Sequence, residues 1–219
     1  NSTMPHELVN TATNTFVFRE ISYVNRIVGD NDSNPQPSFV GNTISAGFFH
    51  NNRLGFLSKD NVILSRSGDP FNFYSTTAQT TIDSDPIDIS CSAIKPTSLN
   101  SVVPTTQGVI LFSVNQQFIL FSDTGVLTPS TTAIRTLANY RIEKDISPVE
   151  VGTTISFVSK TPGYSRVFSM QTRGEQNNPL ILDTSRVVKE WISPDIDNMM
   201  ASPQNSMIAL YGQSLNEVF

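Results

Sequence analysis

Three carboxylates fall within six residues in Asp83-Ser84-Asp85-Pro86-Ile87-Asp88, the densest acidic group in the chain and the first candidate for metal or acid–base chemistry. General acid–base work needs a second titratable group held opposite. Pro86 fixes the backbone in the middle of this run, and no histidine or further acidic cluster lies near it in sequence. The expected reading is a turn, in which Asp83 and Asp85 bond nearby backbone N–H groups. The histidines are His6 and His50, and the one cysteine is Cys91. A nucleophile, a base and an orienting carboxylate must converge for covalent catalysis. No G-x-S-x-G elbow, C-G-x-C-W run, H-E-x-x-H, P-loop or G-x-G-x-x-G supports it here. Asp69, Asp83, Asp85 and Asp88 could serve as glycosidase carboxylates, but carboxylates at turns are common. Asp30 and Asp32 hint at a calcium loop, yet the Gly and distant Glu of that pattern are missing. Cys91 sits among small and apolar residues and is expected to be a buried structural thiol. The expectation is no enzyme, no cofactor and no metal site.

Arg53 and Arg66 are set among apolar residues. A guanidinium in such a place must be paired, because a bare buried charge is costly. Asp60, Asp69 and the Asp83–Asp88 run are the candidate partners, and the two arginines are expected to fasten hairpins together.

The elements around these residues read as strands. Phe48-Phe49 with Leu54–Leu57, then Val62–Leu64, are apolar runs joined by the polar turn Ser58–Asn61. A second turn, Ser67–Pro70, leads to an aromatic return over Phe71–Tyr74. Further hairpins are expected at Gly108–Ser113 with Gln117–Phe121, at Gly152–Val158 with Ser165–Met170, and at Ser206–Tyr211 with Leu215–Phe219. Thr15–Phe18 and Ile21–Val24 are short strand-like pieces, and residues 29–38 form a breaker-rich loop. Ile110, Ile155 and Met207 recur at intervals of about 45 and 52 residues, close to one four-stranded propeller blade. The hairpins are apolar at most positions, which implies burial of both faces, as between stacked blades. Val187, Val188, Trp191 and Ile192 fall at helical spacing over Asp183–Met199, with Trp191 a local packing anchor and Pro194 a stop. Ile134, Leu137 and Ala138 suit either helix or strand.

The chain has 219 residues, 38% hydrophobic and 15% charged, with a net charge of −5. Neutral polar residues make up the difference, as suits an all-β protein rich in turns. Gripping nucleic acid requires the opposite charge, so tight binding of this kind is excluded. No apolar run of about 18 residues is present to span a membrane. The opening Asn-Ser-Thr, with no initiator Met, suggests an internal segment or a processed product.

Several motifs occur together in a specific order. They are Arg53-Leu54-Gly55-Phe56-Leu57, Ser65-Arg66-Ser67-Gly68-Asp69 with Phe71-Asn72-Phe73, and Asp83-Ser84-Asp85-Pro86-Ile87-Asp88. Supporting pieces are Met4-Pro5-His6, Asn34-Pro35, Pro37–Gly41, Gln116–Phe118 and Leu127–Pro129. In these the chain resembles the tail tubular protein B family, the nozzle proteins of T7-like short-tailed phages. The resemblance spans nearly the whole chain and is densest from 34 to 129. It implies an all-β fold, a β-propeller-like body of antiparallel blades that is incomplete in this segment. Residues 1–40 would be an extended leading segment with a Pro-rich loop, and 41–219 the partial blades, with a candidate short helix near 184–193. The structural motif residues would be Arg53, Gly55, Ser65, Arg66, Gly68, Asp69, Asp83, Asp85, Pro86 and Asp88, with no catalytic residue. The implied role is a virion tail subunit, made in the host cytoplasm and assembled as a homohexamer. Its partners would be the adaptor protein, tail fibres and other tail components, with phage DNA passing through without specific binding. An acidic wall would let phosphates pass. The alternative class is a carbohydrate- or receptor-binding propeller module.

Overall fold

Runs of β-branched and aromatic residues punctuated by Asn, Gly, Asp and Pro produce strands throughout the computed structural model, which describes residues 4–93, 96–172 and 179–219. Asn1–Thr3 of the leading segment lie outside the described residues. A hairpin of β1 (His6–Ala12) and β2 (Thr15–Glu20) comes first. Three four-stranded antiparallel sheets follow, each an uninterrupted meander. The first is β3 (Ala46–His50), β4 (Arg53–Ser58), β5 (Asn61–Leu64) and β6 (Ile87–Ser90). The second is β7 (Leu99–Thr105), β8 (Gly108–Ser113), β9 (Gln117–Ser122) and β10 (Thr132–Ala138). The third is β11 (Val149–Val151), β12 (Thr154–Thr161), β13 (Tyr164–Gln171) and β14 (Leu180–Asp183). A fourth unit begins in the same manner with β15 (Asn198–Ser202) and β16 (Met207–Tyr211). First strands start at residues 46, 99, 149 and 198, so the repeat is close to 50 residues. The first strands also lie alongside one another, β3 with β7 and β11 with β15. This all-β succession is consistent with an incomplete propeller-like body.

The side-chain period of two explains how the sheets stack. On β8, Val109 and Leu111 meet Leu57, Val62 and Leu64 of the first sheet. The alternate residues Ile110 and Phe112 meet Phe157, Phe168 and Met170 of the third. Val158 and Val167 then continue to Met199 and Leu210 of the last hairpin. The middle strands are therefore buried on both faces, as the near-continuous apolar runs require. The outer face of the first sheet is closed by the Phe39, Phe56 and Phe73 rings, whose centroids lie 5.1 to 5.5 Å apart.

Four sequence expectations are corrected. The aromatic return Phe71–Tyr74 is not a strand, because the Asn72 side chain caps the Tyr74 N–H and Phe73 turns into the ring cluster; β6 takes the fourth place. Strand β16 pairs with β15, and Phe219 contributes only a reciprocal backbone pair with Leu210. Ile134–Ala138 belongs to a strand, β10. In place of an α-helix over 183–199, the chain forms turns, one 3-10 turn at Lys189–Trp191, and then β15. The physical reason lies at Asp183. Arg166 donates to its Oδ2 at 3.0 and 2.7 Å, and the Ser185 hydroxyl donates to Oδ1 at 2.8 Å while accepting from the Val167 N–H. These bonds commit 183–185 to a turn where a helix would have had to begin. Trp191 is 77% exposed, so it is not the packing anchor; Ile192 and Ile196 are buried in its place.

Two outcomes follow from this packing. The Gly55 Cα faces the Phe48 ring across the β3–β4 pair, and an added Cβ would stand 2.4 Å from that ring and 2.8 Å from Leu64. Gly55→Val should lower stability in urea denaturation by about 1–3 kcal/mol, the usual cost of overpacking. Burial pushes the Asp183 carboxyl up, but the Arg166 and Ser185 donors outweigh it, and the net shift is downward. The contribution of this group is therefore fully present above its unfolded pKa of about 3.9 and disappears as pH falls through the lower native value. Asp183→Asn should cost about 1–2 kcal/mol at pH 7, and urea curves of variant and parent should converge as pH falls below about 4.

Candidate functional site

The motif residues named from sequence converge at one junction between the first two sheets. It begins with the β3–β4 turn, where Asn51 and Asn52 both take positive φ (47° and 61°). Two successive left-handed residues make the hairpin turn that matches strand twist, and Asn tolerates that conformation. The turn delivers Arg53 to the start of β4 with only 1% of its surface exposed. Its Nη1 donates to the Ser65 carbonyl at 2.8 Å and to the Asp85 carbonyl at 2.7 Å. Nη2 donates to the Asp83 carbonyl at 2.8 Å and the Leu127 carbonyl at 3.2 Å. One guanidinium thus joins β4, the end of β5, the acidic turn and the β9–β10 connection. Burial pulls the Arg53 pKa down, and the charge of nearby Asp85 pulls it back up.

The other motif residues build the surroundings of this clamp. The Ser65 hydroxyl accepts from the Leu54 N–H at 2.9 Å and donates to the Arg66 carbonyl at 3.1 Å. Gly68, with φ of 76°, lets the tight Arg66–Asp69 turn close, and its N–H donates to the Asn52 carbonyl. The Asp69 N–H donates to the Arg66 carbonyl, and the Ser67 N–H to the Ser84 carbonyl. Asp83 joins through its carbonyl. Asp85, 1% exposed, accepts from the Ile82 N–H at 3.0 Å and the Thr76 N–H at 3.3 Å. Pro86 then hands the chain to β6. There Asp88 accepts from the Ser38 N–H at 2.7 Å and the Asn61 side chain at 2.9 Å, pinning the Pro-rich loop to the first sheet.

Sequence reasoning located this junction but mistook its chemistry in two respects. Arg53 does fasten segments together, through carbonyl oxygens rather than the carboxylates expected; nothing in residue types marks a carbonyl as a partner. Arg66 does not act in the same way. Its side chain is partly exposed, and its buried Nε has no hydrogen-bond partner among the described residues.

The catalytic candidates are dispersed or engaged. His6 bonds the Met4 carbonyl and stacks on Phe18, whereas His50 sits at the end of β3, where burial lowers its pKa. Burial, with the nearby Asp60 charge, pushes the Cys91 thiol up to about 12, so it stays protonated and inert. Asp30 accepts from Ser33 and the Asp32 N–H, which lower its pKa and make it a turn residue. Among the described residues no group of three or more His, Cys, Asp and Glu is placed to hold a metal ion. A cleft of about 720 Å³ adjoins the clamp, lined by Arg53, Asp83 and hydroxyls of the 124–131 segment.

The family model for the bacteriophage nozzle protein matches residues 1–219. The chain belongs to the bacteriophage nozzle protein family. It is also 35% identical over 165 residues to the tail tubular protein gp12 of Escherichia phage T7, an alignment covering 75% of this chain. It spans only 21% of the length of that relative. For a nozzle-family chain, the junction around Arg53 has the character of a structural fastening.

The two arginines separate the roles. Arg53→Met leaves several buried carbonyls without donors and should destabilise the fold by about 3–5 kcal/mol. Arg53→Lys should recover little of this, since an ammonium cannot span the same four acceptors. Arg66→Met should change stability by less than about 1 kcal/mol. Chemical denaturation of the three variants checks all these values.

Proposed function

We propose that this chain forms part of the wall of a phage tail nozzle, a subunit of the tube through which genomic DNA leaves the virion. The single observation that carries this reading is the use made of the acidic and basic groups around Arg53. The buried guanidinium and the Asp85 and Asp88 carboxylates bond to backbone groups and bind segments together, in a family of nozzle proteins. A chemical site needs such groups free and convergent, so the role is mechanical rather than enzymatic. Subunits of the long parent chain would assemble as a homohexamer that contacts the adaptor, the fibres and other tail components. Synthesis would take place in the host cytoplasm, and the three sheets would be blades of a propeller completed by the rest of the chain. The net charge of −5 supports a wall that DNA passes without lasting contact.

Gold-labelled antibody raised against residues 4–219 should decorate the tails of purified virions, and the full-length protein should form six-fold rings in electron micrographs. Label absent from the tail would overturn the reading. So would retention of double-stranded DNA by the rings at physiological salt.

A further inference from the structure

The two ends of the sheet stack carry apolar surface of opposite shape. Beyond the outer face of the first sheet lies a cleft of about 1020 Å³, lined by residues that include Tyr23, Val40, Ile44, Lys59 and Phe73. The β1–β2 hairpin rises from its rim, held at the root by the Tyr23 hydroxyl donating to the Pro5 carbonyl at 3.2 Å. Leu8 and Phe18 pair across the hairpin, and Phe16 shares their face two residues along β2. They are 67%, 69% and 60% exposed. A two-stranded sheet with one apolar face open is marginal by itself and calls for a surface to lie on.

The turn after β14, at the far end of the stack, has the complementary form. Val187 is 94% exposed and Trp191 77% exposed, on a turn rooted in the core by buried Ile192. Glu190 stands beside Trp191, and Lys59 stands in the cleft; both are exposed, and neither has an ion-pair partner among the described residues. An aromatic side chain brings about 150–250 Å². The exposed parts of Phe16, Phe18 and Trp191 alone therefore approach about half of the roughly 800 Å² each partner gives to a stable interface. A projecting tryptophan and an apolar cleft are what the energetic centre of such an interface requires.

We propose that copies of this chain join head to tail, the Val187–Trp191 turn of one copy seated in the cleft of the next, under its β1–β2 hairpin, with Glu190 against Lys59. Contact between unlike surfaces propagates from copy to copy and closes into a ring when the rotation allows. The inference rests on the reading of the chain as a tube-wall subunit, and it names the surfaces that join.

The test uses full-length protein and native mass spectrometry. Trp191→Ala, at an exposed position, should weaken assembly by tenfold or more with an unchanged circular dichroism spectrum. Lys59→Glu and Glu190→Lys should each weaken it several-fold, and the double reversal should restore it. Val40→Cys with Val187→Cys should give, on oxidation, disulfide-linked ladders of copies. Single reversals without effect, or a disulfide closing within one chain because another part of the same chain fills the cleft, would overturn the proposal. Tails that label with antibody while no link forms between copies would sink this interface and leave the nozzle reading standing. Ladders formed by a protein absent from tails would do the reverse.

Discussion

A buried guanidinium bonded to the carbonyls of four residues is the interaction on which the arrangement of the first two sheets depends. Carbonyls at strand ends and in turns lie outside the ladders and need donors from elsewhere. Those of Ser65, Asp83, Asp85 and Leu127 are brought together where water has little access. Arginine suits the place because its planar fork presents five N–H groups in fixed directions and keeps its charge. The Asp85 carboxylate balances that charge without touching it, being itself occupied by the N–H groups of Ile82 and Thr76. Acid and base are thus each satisfied by backbone, and together they fix the geometry of the turns.

The same principle extends through neutral side chains, which accounts for a composition low in charge. The Asn34 amide donates to the Ser75 carbonyl and accepts from the Ser75 N–H, both at 3.1 Å. The Gln117 amide does the same with Tyr140, at 2.8 and 3.1 Å. Each amide stands in for one peptide group of a neighbouring strand and holds a long loop against a sheet. Backbone carbonyls of the Lys59–Asp60 turn accept from the Leu99 and Cys91 N–H groups, so even the β4–β5 turn serves to join the first sheet to the second. A wall built in this way resists distortion without depending on surface ion pairs, which salt would screen.

Apolar surface left over is concentrated rather than scattered. It lies on the β1–β2 hairpin at one end and on the Val187–Trp191 turn at the other, whereas the faces between sheets are closed. For a chain whose relative is several times longer, such ends are where further protein has to meet it.

The sequence by itself determined the strand content, the pairing of β4 with β5, β8 with β9 and β12 with β13, and the burial of both sheet faces. Those features follow from local propensity and from the period of two, which act over a few residues. The motif residues around Arg53 were legible as a group because their order is distinctive, and the absence of motif chemistry pointed to a fastening. Only the tertiary structure decided that carbonyls and not carboxylates hold Arg53, since any residue type can present a carbonyl. It also decided that Arg66 fastens nothing and that Phe71–Tyr74 yields its strand position to β6. The helical spacing over 183–199 misled for the same reason. A helix needs a surface to bury its apolar stripe, whereas Arg166 and Ser185, close in space through β13–β14 pairing, had already bound Asp183 in a turn.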